Sequence, residues 1–317
     1  MCLRNTERMA YKHILQYSTP LLGSRTITLR TGEVFFLGML FKLVIQAGLA
    51  ISALAIPTGN HTGISWLAKR SNPTIGGGWE GQETDMIRDG FADALRMAKA
   101  VEVTPATTVD PILKQWFREE DKDVVIEVFQ KILGGVGTYS GNTMLSKITV
   151  IPPADGSQDE EDCSDEEVVT ILRGLRTSRP KLIICLEKFD VGGIDKGYTG
   201  VPAVTCSTIG DKVSTKMNTM GRRFLHEYTH WEHLVVPPLF TATHDWANGP
   251  YAAQNDISKA EALYNADSYA YFASQVFWTV HCGHEFDPPT EDSDAGNDLV
   301  QISAPGSECT DSEKIEN

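Results

Sequence analysis

The sequence predicts an α+β domain that is mainly helical and carries a small antiparallel sheet. Three observations support this. Apolar residues recur at helical spacing over several long segments, only two short β-branched runs lie between them, and glycine or proline closes most of the segments. Of the 317 residues, 41% are hydrophobic and 22% charged, which suits one core with appendages and excludes collagen-like, wholly disordered and multi-span membrane classes. Lys and Arg number 28 against 42 Asp and Glu, a formal charge of −14. That field repels phosphate backbones, so no nucleic-acid partner is expected.

Residues 1–55 read as an N-terminal extension with a signal peptide. An apolar run occupies 34–55, Arg25, Arg30 and Lys42 supply positive charge, and Ala53-Leu54-Ala55 has the small-x-small pattern of a signal-peptidase site. Met39 offers an alternative start that shortens the leader to an ordinary length. The competing reading is an uncleaved anchor over 34–56, against which Lys42 and Gln46 inside the run both count. A secreted protein without stable membrane association is therefore expected. Asn60-His61-Thr62 is an N-glycosylation acceptor. The cysteines are Cys2, Cys163, Cys185, Cys206, Cys282 and Cys309; leader cleavage leaves five, hence two disulfides and one thiol, with the pairing open.

Residues 56–75 read as a linker and 76–285 as the folded domain. Helical spacing runs from Glu83 to Val101 through Met86, Ile87, Phe91, Ala94, Leu95, Met97 and Ala98. Asp110 as N-cap with Pro111 in the first turn predicts a helix through Trp116. Val124–Leu133 is a third helix, stopped by Gly134-Gly135. Ile148–Ile151 and Leu182–Leu186 are the two strands. Between them the acidic stretch 154–167 reads as a solvated loop. Met217–His233 and Ala260–Trp278 are long helices, and 286–317 is an acidic tail expected to be disordered.

The informative motif is His226-Glu227-Tyr228-Thr229-His230. On a helix, positions i and i+4 share a face, so both imidazoles reach one zinc ion at about 2.0–2.1 Å. Glu227, beside the first ligand, is placed to act as general base on water whose pKa zinc lowers to about 7. A third ligand is needed. Ten residues after the first histidine stands Val236, which excludes one arrangement; Glu261, Asp245, His233 and His244 remain candidates, His233 being better suited to an exposed or supporting place.

Thr243-His244-Asp245, Gly249 and Asn265-Ala266-Asp267-Ser268-Tyr269 follow the motif, and Trp116-Phe117 precedes an amphipathic helix. Together with His226-Glu227-x-x-His230, these resemble the deuterolysin-type, or aspzincin, metalloendopeptidases, in particular the fungal lysine-specific metalloendopeptidase domains. The resemblance covers about 76–285 and implies a zincin-like fold, one zinc ion per chain, and protein or peptide substrates. It implies zinc ligation by His226, His230 and Asp245, with Glu227 as base. Asn248 stands where the family has its oxyanion Tyr, with Tyr251 as a substitute, and Ala242 replaces the family's glycine. Losing one oxyanion donor can cost about 10²–10³ in rate. Asp267 matches an acid of the family's lysine pocket, whereas Ala270 replaces the second. The resulting expectation is a secreted zinc endopeptidase. The alternative of another class is a catalytically impaired zinc-binding protein of the same fold, and a third reading treats the motif as accidental in a structural protein.

Overall fold

The structure, a computed structural model, describes residues 71–164, 169–189 and 191–293. The leader, Met39, the Asn60 acceptor, Cys2 and Cys309 lie outside the described residues, as does the expected tail from 294 onward; its first part, 286–293, is described, with Phe286 and Ser293 buried.

The chain runs from β1 (Thr74–Ile75) into α1 (Gly81–Val103). A capping box between Glu80 and Glu83 opens α1, and its predicted apolar stripe from Met86 to Val101 is buried. Next is α2 (Ala106–Trp116). Here the expected start at Asp110 is corrected: Pro105 is the N-cap, and Pro111 lies inside the helix. With φ fixed at Pro105 the helix winds from Ala106, and Pro111 lacks the N–H that would bond one turn back and crowds the carbonyl there. α3 (Lys122–Leu133) ends as expected, with Gly134 at φ 97° supplying the left-handed cap.

Then come β2 (Thr149–Ile151), α4 (Gln158–Ser164), β3 (Thr170–Arg173) and β4 (Lys181–Ile184). The solvated loop expected over 154–167 is in part a helix. Cys163 is buried and disulfide-bonded to Cys185, which draws this segment onto the sheet beside Ile183. Asp159, Glu160 and Glu161 fall in the first turn of α4, where carboxylates complement the helix dipole.

The sheet order is β1-β2-β4-β3. β1 with β2 and β2 with β4 are parallel, and only β3 with β4 is antiparallel, so the expected antiparallel sheet is mixed. The parallel pairing of β1 and β2 follows from the helical crossover α1–α3 between them. Strands β1 and β3 are too short or too polar for the periodicity that found β2 and β4. Register pairs Val150 with Leu182 and Ile171 with Ile183.

The second half contains α5 (Met220–Thr229), α6 (Glu232–Val235), α7 (Pro250–Asn255), α8 (Lys259–Ala262) and α9 (Ala266–Cys282). The two long helices expected here are each divided. Trp231 turns the chain between α5 and α6, and Leu263–Asn265 separates α8 from α9. Every residue of α9 from Ala266 to Thr279 is buried, as befits a helix apolar on most sides. Phe117, Phe129, Tyr269 and Phe272 form one aromatic cluster against it.

α1 crosses α5 where glycines permit close approach. A Cβ on Gly90 would meet Met220 Cγ at 2.7 Å, and one on Gly221 would meet Asp93 Cβ at 2.6 Å and Ala94 N at 2.9 Å. The second disulfide, Cys206–Cys282, ties the loop before α5 to the end of α9. The four cysteines among the described residues thus form two disulfides, and these point to an oxidising environment. No helix among the described residues is long and apolar enough to cross a membrane.

Candidate metal centre

Thr219 caps α5, its hydroxyl accepting the Arg222 N–H at 3.3 Å. One helical turn separates His226 from His230, the residue that closes the helix, and both rings are buried on the same side. Because the chain turns at Trp231, His233 leaves that side. It is exposed on α6, with Nε2 3.4 Å from the Arg176 carbonyl.

Asp245 reaches the histidines from the segment between α6 and α7 through three backbone joins. Thr243 N–H donates to Thr229 O at 3.1 Å, His244 N–H to Tyr264 O at 2.8 Å, and Ala266 N–H to His244 O at 3.0 Å. These pin the segment to the end of α5 on one side and the start of α9 on the other. Asp245 Oδ1 then lies 3.0 Å from His226 Nε2 and 3.2 Å from His230 Nε2, and the two Nε2 atoms are 3.1 Å apart. His226, His230 and Asp245 thus make a group able to hold a metal ion. The remaining candidates are elsewhere: His244 is exposed and stacks on Trp246, and Glu261 is exposed in the capping box of α8.

This triangle fits a tetrahedral cation. Four ligands at about 2.05 Å define a tetrahedron with edges of about 3.3 Å, close to the three separations observed. The hydrogen bonds behind the rings agree. His230 Nδ1 faces the Thr243 carbonyl at 2.9 Å; a carbonyl only accepts, so Nδ1 carries the hydrogen and a neutral ring turns the lone pair of Nε2 toward Asp245. His226 Nδ1 lies 2.6 Å from Asp267 Oδ1, which orients that ring the same way. Two imidazole lone pairs and a carboxylate oxygen therefore converge on one point, an arrangement that a cation satisfies.

The electrostatics point in the same direction. Burial opposes a charge on His226, yet the carboxylates of Asp267 and Asp245 outweigh it and push the ring up to about 10. Burial likewise opposes charge on His230, and Asp245 still raises it. Asp245 is held well below the usual carboxylate range, because the two histidines outweigh the effect of burial. The field that favours protons here equally favours a metal cation.

Glu227 is buried, and the Thr170 hydroxyl of β3 donates to its Oε1 at 2.6 Å. Asn248 and Tyr251 are both half-buried, Asn248 before Gly249 and Tyr251 in the first turn of α7. Asp267, which the resemblance matches to a substrate pocket, faces the protein's own groups in the structure. It is buried, Oδ1 faces both Arg222 Nη1 and His226 Nδ1, and Oδ2 accepts the Gly249 N–H at 2.7 Å. The chain's own Arg222 guanidinium thus takes the place beside this carboxylate that a substrate lysine would need. Arg222 and Thr170 were not found by sequence reasoning, and Thr243 and Gly249 were noted only as motif residues around Asp245. Arg222 stands one turn before His226, a local signal; Thr170 reaches the site only through tertiary contacts.

The chain matches no protein-family model and no curated protein.

Proposed function

We propose that this protein is a secreted zinc-dependent endopeptidase of the deuterolysin type, with a zincin-like fold and one zinc ion per chain held by His226, His230 and Asp245. The observation that carries the reading is the convergence of those three side chains at 3.0–3.2 Å with Glu227 in the same helical turn. The two disulfides support an extracellular destination.

Zinc bound there supplies Lewis-acid chemistry, acidifying water and polarising a peptide carbonyl. Glu227 removes a proton from the attacking water, whose hydroxyl adds to the carbonyl carbon. As the C–N bond breaks, the same carboxyl returns that proton to the leaving amine. Thr170 fixes the carboxylate by its bond to Oε1, which leaves Oε2 to take the proton. Strand β3 is the edge of the sheet, pairing with β4 on one side. Its other edge suits an extended peptide added as a further strand, with Thr170 marking how near such a peptide runs to the base. Asn248 or Tyr251 is left to donate to the developing oxyanion.

The test is hydrolysis of casein by the zinc-loaded protein beside Glu227→Ala. Activity above that variant, lost on chelation and restored by zinc, is the expected result. The second reading, an impaired zinc-binding protein, is favoured by one feature, Asn248 in place of a tyrosine. It takes over if the wild type binds zinc stoichiometrically and cleaves no faster than Glu227→Ala.

A further inference from the structure

Asp267 sits at the first turn of α9, 2% exposed, and its two oxygens receive three donors from two directions. Arg222 and His226, one turn apart on α5, both meet Oδ1, and the backbone N–H of Gly249 meets Oδ2. Gly249 closes the segment that begins with Thr243 and carries Asp245. We propose that Asp267 is a positioning residue joining the two halves of the metal centre: it orients the His226 imidazole through Nδ1 and anchors the Asp245 segment through Gly249. This inference rests on the reading of His226, His230 and Asp245 as metal ligands.

The donor count makes the carboxylate specific. Three N–H groups converge on Asp267, so each of its two oxygens must accept. An amide has one acceptor oxygen and one NH₂, and the NH₂ would confront an N–H whichever way it is turned. Asparagine therefore keeps either the bond to His226 or the bond to Gly249, not both. Glutamate keeps the charge but carries the oxygens one methylene farther from α9, and in a buried site that length must displace the ring or the loop. The neighbouring Asn265 reinforces the anchor. Its Oδ1 accepts the N–H groups of Trp246 at 3.0 Å and Ala247 at 3.1 Å, and its Nδ2 donates to Ala247 O at 3.1 Å. The start of α9 thus grips the Asp245 segment at both Asn265 and Asp267. Arg222 stacks over Tyr271, 4.4 Å from the ring centroid, and this holds the guanidinium where it balances Asp267.

His230 provides an internal control, because its Nδ1 is held by the backbone carbonyl of Thr243 and not by Asp267. A purely electrostatic role for Asp267 would survive in Asp267→Glu, whereas a positioning role would not.

The experiment measures zinc dissociation constants, by competition with a chromophoric chelator, for the wild type, Asp267→Asn and Asp267→Glu. The imidazole ¹⁵N and N–H resonances of His226 and His230 are recorded alongside. Positioning predicts zinc affinity about 10–100-fold weaker in both variants, with the His226 Nδ1–H resonance shifted and that of His230 unchanged. If Asp267→Asn unfolds because Arg222 is left without its partner, the double variant Asp267→Asn/Arg222→Met removes the ion pair as a unit and carries the same prediction. Wild-type affinity in both single variants overturns the inference and leaves the metal assignment standing. Weakening in Asp267→Asn alone, with Asp267→Glu unaffected, also overturns it in favour of charge only. A wild type that binds no zinc overturns the metal assignment and this inference together.

Discussion

Asp93 supplies a prediction whose size follows from the structure. It is buried on α1 where that helix crosses α5, its Cβ against Gly221, with Oδ1 3.0 Å from Arg96 and Oδ2 accepting the Ile194 N–H at 3.1 Å. Burial outweighs both donors and pushes the carboxyl up from 3.8 to about 6. The unfolded chain releases this proton near 3.8 while the folded chain keeps it to about 6, so within that window the folded state binds more protons. Stability conferred by this group therefore falls as pH rises through the window, and the full cost is present at neutral pH. At about 1.36 kcal/mol per pH unit the cost is roughly 3 kcal/mol. Asp93→Asn keeps the shape and abolishes the ionisation. Urea unfolding of both proteins, disulfides intact, from about pH 4 to about pH 7 isolates the effect as the difference in unfolding free energy. That difference should move in favour of Asn by roughly 2–3 kcal/mol across the range. A difference flat to within about 0.5 kcal/mol would show that Asp93 ionises as an ordinary carboxylate and would refute the reasoning.

Metal analysis of purified variants should find one zinc per chain in the wild type and in His233→Ala, and none in His230→Ala; equal loss in both would remove His230 from the ligand set. Thr170→Val deletes the donor to Glu227, a hydrogen bond to a charged group worth about 1.5–3 kcal/mol, so kcat should drop about 10–100-fold while zinc content is unchanged. Gly221→Ala forces a methyl into the backbone of α1, an overpacking of about 1–3 kcal/mol, and calorimetry should show Tm lower by roughly 3–10 °C. Because Arg222 already occupies Asp267, sequencing of peptide products should reveal no enrichment of lysine after the cleaved bond, and strict cleavage before lysine would contradict that geometry.

What was legible in the sequence was what local spacing determines. The placement of His226 and His230 on one face needs only the helical period, and the stripes of α1 and α3 likewise need only their own residues. Asp245 was singled out by the family resemblance alone; spacing left it among several candidates, since no periodicity encodes the backbone joins of Thr243 to Thr229 and of His244 to Tyr264 and Ala266. The acidic segment before Ser164 looked like a loop because its helix depends on the bridge from Cys163 to Cys185, a pairing the sequence leaves open. Strand direction failed for a related reason. β1 is two residues long, and its parallel partnership with β2 is set by three intervening helices rather than by any pattern within either strand.

Asp267 shows how a residue type can be legible in a sequence while its surroundings are not. A carboxylate near a metal motif was visible, and the family resemblance assigned it to substrate. The assignment depended on what faces it, and what faces it is Arg222, 45 residues earlier in the chain. A buried guanidinium at 0% exposure needs a counter-charge, and a buried carboxylate needs donors for two oxygens, so the pair is mutually required once α5 and α9 pack. On its other side α5 approaches α1 closely enough to exclude a side chain at Gly221. The candidate metal centre is thus an outgrowth of the core: the helix that carries both histidines is held by α1 on one side and by α9 on the other, and the start of α9 also grips the loop that brings Asp245 to them.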